Sequence, residues 1–264
     1  MKVYIEGVGI VGPGLNGWQA SQPILSGATP YTASEVVIPP NDMLPSAERR
    51  RTGMPVKIAL AVGSEAIAHT QRNAADLPSI FTSSAGDGEN MHNIFDMLAN
   101  NGHEVSPTRF HNSVHNAPSG YWSIATKSMT PSTSLACYDE SFIAGLIEAS
   151  AQVLSKEDAV ILISYDTPYP IPLHETRPIS AAFGVALVLT RNKTGRSLAM
   201  LDIDIHHQRK SCSPIAIAPL EALRVTSPAA RSLPLLAALA GKTAGALCFE
   251  YVAGNQVEVT VQPC

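Results

Sequence analysis

Apolar residues fall along this chain in runs whose spacing switches between that of strands and that of helices. Residues 3–11 form a β-rich opening, punctuated by Gly7, Gly9, Gly12 and Gly14. Residues 159–164 and 183–190 are continuous apolar runs of the kind buried on both faces of a sheet, and residues 197–205 alternate. Between them, Ile58, Ala59, Val62, Ala66 and Ile67 share one side of a core helix predicted over 56–69. A short strand is predicted at 79–83. The turn Ser84-Ala85-Gly86-Asp87-Gly88 then leads into a helix through Met91, Ile94, Phe95 and Leu98, which Asn101-Gly102 should stop. Residues 132–136 are β-prone and end in Ala136-Cys137. Beyond them Phe142, Ile143, Leu146, Ile147, Val153 and Leu154 recur at helical spacing.

The remaining segments complete an alternation of strands and helices. Ser227-Pro228 reads as N-cap and first position of a helix through Leu233, Leu235, Leu236 and Leu239, ended by Gly241. Residues 246–251 and 256–261 flank Gly254-Asn255, a hairpin signal. Residues 28–55, rich in proline, form an irregular excursion. The class is α/β, with no repeat and no linker of disordered composition.

Composition narrows the functional classes. Of 264 residues 45% are hydrophobic and 15% charged, so the chain can bury a sizeable core and carries fewer charges than an average soluble protein. A net charge of −4 argues against a nucleic-acid binder or a membrane-surface binder. The one basic cluster, Arg49-Arg50-Arg51, does not change that. No uncharged stretch is long enough to span a bilayer, and the first residues lack the apolar run of a signal peptide. Cys137, Cys212, Cys248 and Cys264 lie far apart with no metal-ligand spacing, which reads as reduced thiols in a cytoplasmic protein.

Three local patterns invite chemistry. Gly7-x-Gly9-x-x-Gly12 spells a dinucleotide fingerprint, but the glycines fall inside the apolar run and Pro13-Gly14 follows where a helix should begin. It reads as a strand with close backbone approach, and no cofactor is implied. His111 and His115 are four apart, as metal ligands are placed on a helix, yet Pro118 and the Asn/Ser richness fit a loop entering a helix. No third ligand presents itself, so no metal is assigned. Cys137 sits where a strand turns into a helix, whose first turn offers unpaired N–H groups to a thiolate or a nearby oxyanion. Asp139 and Glu140 work the other way, since carboxylates this close raise a thiol's pKa.

These pieces resemble one family. Ala136-Cys137 at a strand-to-helix turn is similar to the nucleophile motif of the β-ketoacyl synthases, condensing enzymes of fatty acid and polyketide synthesis with the thiolase fold. The opening 8–14, the segment 116–124 and the strand 183–189 resemble that family's N-terminal half in the same order. The resemblance implies a thiolase-like layered fold of the α-β-α-β-α type with a truncated C-terminal half. It implies one domain over 1–264, divided into an N-terminal half (1–190) and a shortened remnant (191–264).

The histidine motifs that the family's second half supplies are missing. Only His206 and His207 remain there, without flanking glycines or threonines. Losing donors that stabilise developing charge typically costs several kcal/mol of barrier.

The nearest likeness is to short chain-length-factor-like proteins of aryl polyene and related pathways. It implies a non-condensing subunit paired with a full ketosynthase, with Cys137 at the nucleophile position. The strand 130–136 would pair across the dimer, and Phe110, His111, Ser134, Tyr138 and Phe142 would be candidates for the interface or for the wall of the partner's acyl tunnel. An acyl carrier protein is a further possible partner, through Arg49, Arg50 and Arg51. The alternative is an enzyme in which Cys137 accepts an acyl group, as acyltransferase, priming decarboxylase or thioesterase, with His111, His115 or His206 as base. A histidine nitrogen within reach of the Cys137 sulfur would favour the enzyme; an apolar face around residues 110–135 would mark the dimer.

Overall fold

The computed structural model describes residues 1–40, 42–100, 104–207 and 210–264. Nine strands form one sheet: β1 (Lys2–Gly12), β2 (Leu15–Asn16), β3 (Ser79–Thr82), β4 (Ser132–Leu135), β5 (Ala159–Asp166), β6 (Phe183–Thr190), β7 (Ala199–His206), β8 (Gly245–Glu250) and β9 (Gln256–Pro263). Their order is β4-β3-β5-β6-β1-β7-β9-β8, with β2 paired to β1. The β3–β4 and β3–β5 pairs are parallel and the others antiparallel. Residues after Thr190 thus extend the same sheet, and the tail hairpin forms with Glu250 opposite Gln256. β4 ends the sheet on one side, and among the described residues its outer edge has no strand partner.

The helices are α1 (Trp18–Leu25), α2 (Ser46–Arg49), α3 (Met54–Ala68), α4 (Gly88–Asn100), α5 (Pro107–His111), α6 (Ala117–Thr126), α7 (Ser141–Ser155), α8 (Leu173–Thr176), α9 (Ala218–Thr226) and α10 (Leu233–Ala240). The expected stop of α4 at Asn101-Gly102 lies outside the described residues. The helix expected from Ser227-Pro228 begins instead as a 3-10 turn, Ala229–Ser232, before α10. β2, α1 and α9 were not legible, being too short or too polar to give a periodic signal.

Because β5 and β6 are covered on both faces, every one of their residues is buried. α3 and α6 pack over Phe81, Ile161, Ile163 and Val188 on one face. α7 and the 3-10 turn cover Ile80, Leu162, Leu187 and Leu189 on the other, while α10 packs on β8 and β9. The glycines of β1 do what a strand needs and a phosphate loop does not: a Cβ at Gly7 or Gly9 would run into the backbone carbonyl of Ala66 or Val62, so α3 lies directly on the strand. Gly63 performs the same service inside α3. A Cβ there would stand 2.6 Å from Trp122, whose fully buried indole meets Phe81 edge-on at 6.5 Å between ring centroids. Gly63→Val should therefore destabilise the fold by about 1–3 kcal/mol despite the better helix former, checked by urea unfolding. An unchanged midpoint would mean that α3 and α6 are not in this close contact.

Candidate functional site

The site is a turn between β4 and α7. Cys137 follows the last residues of β4 with φ −137° and ψ 40°, Tyr138 takes the left-handed conformation (φ 51°), and Tyr138–Glu140 forms one 3-10 turn before Ser141 opens α7. Ser141 closes the turn locally. Its hydroxyl accepts the Cys137 N–H at 3.0 Å and donates to the Tyr138 carbonyl at 2.8 Å.

Two arginines from distant parts of the chain hold the turn from outside. Asp139 accepts from Arg177 at 2.7 Å through one oxygen and from Arg231 at 2.9 Å through the other. Arg231 also reaches Glu250 of β8 at 3.1 Å and lies 3.9 Å from Glu140. Arg177 stacks its guanidinium 3.5 Å from the centre of the Tyr138 ring. Burial opposes the charge on Arg177, but the Asp139 carboxylate outweighs it and holds the guanidinium above its ordinary value. None of these partners has a sequence spacing that announces it.

The Cys137 thiol is half-buried, and burial first, then the Glu140 carboxylate, push its pKa above the ordinary value. Among the described residues no histidine bonds the sulfur. His115 Nε2 lies 3.0 Å from the Ser83 carbonyl, His111 sits at the exposed end of α5, and His206 pairs with Asp204 at 3.7 Å. His111 ends α5 and His115 lies in the turn before α6, so the two do not share a helix face; no metal-binding cluster occurs among the described residues. A thiol raised by a neighbouring acid, without a base, is a weak nucleophile at neutral pH.

The other candidate residues divide into two groups. Phe110 (69% exposed), Tyr138 and His111 face outward. Phe110 and His111 line an apolar groove of about 650 Å³ with Val114, Tyr121 and Ile124, between α5 and α6. Met129, 96% exposed, lies on the loop before β4. Ser134 is half-buried on β4, in register with Phe81. Phe142 turns inward: it is 1% exposed and packs against Phe249, 6.4 Å between ring centroids. Its position in the first turn of α7 directs it beneath the sheet's edge and into the core.

Sequence reasoning missed Asp166, the last residue of β5. Its buried carboxylate accepts the Ser84 N–H and hydroxyl at 2.8 Å, the Ser83 hydroxyl at 3.2 Å and the Ala229 N–H at 2.9 Å, tying the ends of β3 and β5 to the 3-10 turn. Complete burial lifts its pKa to about 6 in spite of those donors. The signal available was a lone acid closing an apolar run.

Two outcomes follow. The folded state holds the Asp166 proton to higher pH than the unfolded chain does. It therefore binds more protons between about pH 4 and 6, and stability should fall as pH rises through that window, by up to roughly 3 kcal/mol. Urea unfolding at stepped pH measures this, and Asp166→Asn should flatten the slope. Separately, Asp139→Asn should cost about 1–3 kcal/mol and speed alkylation of Cys137 by iodoacetamide, because the turn loses both arginines. An unchanged alkylation rate would show that the clamp does not hold the thiol.

The chain matches the family described as beta-ketoacyl synthase, N-terminal domain, over residues 18–240. No curated protein matches it. Among solved structures it is similar to a chain of the ketosynthase ApeO in complex with its chain length factor ApeC from Xenorhabdus doucetiae. The TM-score is 0.74 at 20% identity, covering 98% of this chain and 99% of that one. The ishigamide ketosynthase/chain length factor gives a TM-score of 0.74 at 14% identity over 100% and 99%. The type II polyketide complex AntDE:AntF, an acyl-carrier protein with its ketosynthase bound to the hexaketide, gives 0.77 at 10% over 100% and 99%. These identities carry the fold, which is the thiolase-like layered fold that the family resemblance implied, within the α/β class that the strand and helix order gave. The family match, spanning most of the chain and including the Cys137 turn, makes this protein a member of the beta-ketoacyl synthase family.

Proposed function

We propose that this protein is a non-condensing, chain-length-factor-like subunit that pairs with a complete ketosynthase, in the cytoplasm, in aryl polyene or related fatty acid and polyketide-type synthesis. The observation that carries the reading is Cys137 itself: a thiol at the nucleophile position, with its pKa raised by burial and Glu140 and with no histidine bonded to it among the described residues. Condensation needs a thiolate and a base to generate it, and here the thiol is raised and no histidine bonds it among the described residues.

The surface supports the same reading. The open edge of β4 offers backbone hydrogen bonds, and exposed Phe110, Val114, Ile124 and Met129 offer apolar area. Phe110, His111 and Tyr138 are the outward residues able to wall a neighbour's acyl tunnel, Ser134 belongs to the edge strand, and Phe142 supports the turn from beneath. Carrier-protein contact is assigned to the basic cluster. There Arg49 pairs with Asp42 and Arg51 with Glu48, which leaves Arg50 as the arginine without an ion pair among the described residues.

The test is co-expression with the ketosynthase encoded beside it, using the native chain, Cys137→Ala and Phe110→Ala. Cys137→Ala should co-purify and give unchanged products in unchanged yield. Phe110→Ala should co-purify and shift the product distribution toward longer chains, because a bulky wall has been removed. Loss of turnover on Cys137→Ala with the complex intact would instead establish the acyl-accepting enzyme.

A further inference from the structure

We propose that Cys212 and Cys248 form a thiol pair that closes reversibly to an intramolecular disulfide when the protein meets a peroxide. The geometry starts at the second edge of the sheet. Ser213 lies alongside β8: its N–H donates to the Cys248 carbonyl at 2.9 Å, and its hydroxyl accepts the Cys248 N–H at 2.9 Å. That pairing places Cys212, the residue before Ser213, beside Cys248. Both line one small cleft with Arg224, Arg231 and Glu250, and the Gln256 side-chain amide donates to the Cys212 sulfur at 3.9 Å. Two cysteines held side by side by backbone pairing, with both thiols opening on one cleft, are the arrangement from which a disulfide can close.

Exposure sets the order of events. Cys212 is half-buried and Cys248 buried. The Cys212 thiolate attacks the peroxide O–O bond, forming a sulfenic acid and releasing one water after proton transfer. The Cys248 sulfur then attacks the sulfenic sulfur and expels the hydroxyl as a second water. Two thiols and one hydrogen peroxide become one disulfide and two waters. The bond closes a loop containing α9 and α10, so it restricts the unfolded chain. Burial holds both thiols above the ordinary value, so the reaction is slow at neutral pH and quickens in alkali.

The experiment exposes the whole reduced protein to hydrogen peroxide at pH 7 and at pH 9, followed by non-reducing digestion and mass spectrometry. The expected result is a Cys212–Cys248 peptide in a monomeric band, formed faster at pH 9, with the thermal midpoint raised by roughly 5–10 °C and restored by dithiothreitol. Cys212→Ser and Cys248→Ser should each abolish the shift while unfolding near the reduced wild-type midpoint. Either of two results overturns the proposal: Cys264 oxidised while Cys212 and Cys248 are recovered as free thiols, or Cys212 driven to sulfinic acid beside a free Cys248.

Discussion

One carboxylate joins three distant parts of this chain. Asp139, just past the β4 strand, holds Arg177 from the proline-rich loop after β5 and Arg231 from the 3-10 turn before α10. Each contact alone is an ordinary ion pair. Together they decide how the strand-to-helix turn sits against the residues that follow Thr190, because no hydrogen bond inside the turn reaches that far. The Arg177 side chain serves twice, pairing with Asp139 and covering the Tyr138 ring, which adopts a backbone conformation that non-glycine residues usually avoid. Such a residue persists only where its surroundings over-determine it.

The same pairing separates this turn from a working nucleophile. Asp139 is neutralised by its arginines, whereas Glu140 acts on the thiol without so close a partner, and it is Glu140 that joins burial in raising Cys137. The charge that the local sequence places beside the sulfur is thus divided by tertiary contacts into one acid that builds the turn and one that quiets it.

How much could be read from the chain depended on whether the signal was local. The Cys137 turn, the apolar strands, the tail hairpin and the glycines of β1 all announce themselves through neighbours in sequence, and the structure has them. The arginines on Asp139 do not, since 38 and 92 positions separate the partners. Asp166 was hidden for a related reason: an acid at the end of an apolar run looks like solvent-facing punctuation until the Ser83–Ser84 turn and the Ala229 N–H are folded against it. Phe142 was a candidate through the family resemblance; it stands in the first turn of α7 and is buried, whereas Tyr138 precedes that helix in a left-handed conformation, so the four-residue spacing does not put the two on one face.

The two edges of the sheet are finished differently, and this has a consequence for the chain when it is alone. Ser213 pairs with Cys248 in the middle of β8 and so interrupts that rim. Among the described residues β4 has no strand on its outer side, and its side chains are the hydroxyl-bearing Ser132, Thr133 and Ser134 and then Leu135. Whatever occupies that edge enters the folding equilibrium by mass action. An open edge of this kind is a template for pairing with another strand, and copies in which it stays uncovered are the ones most prone to associate.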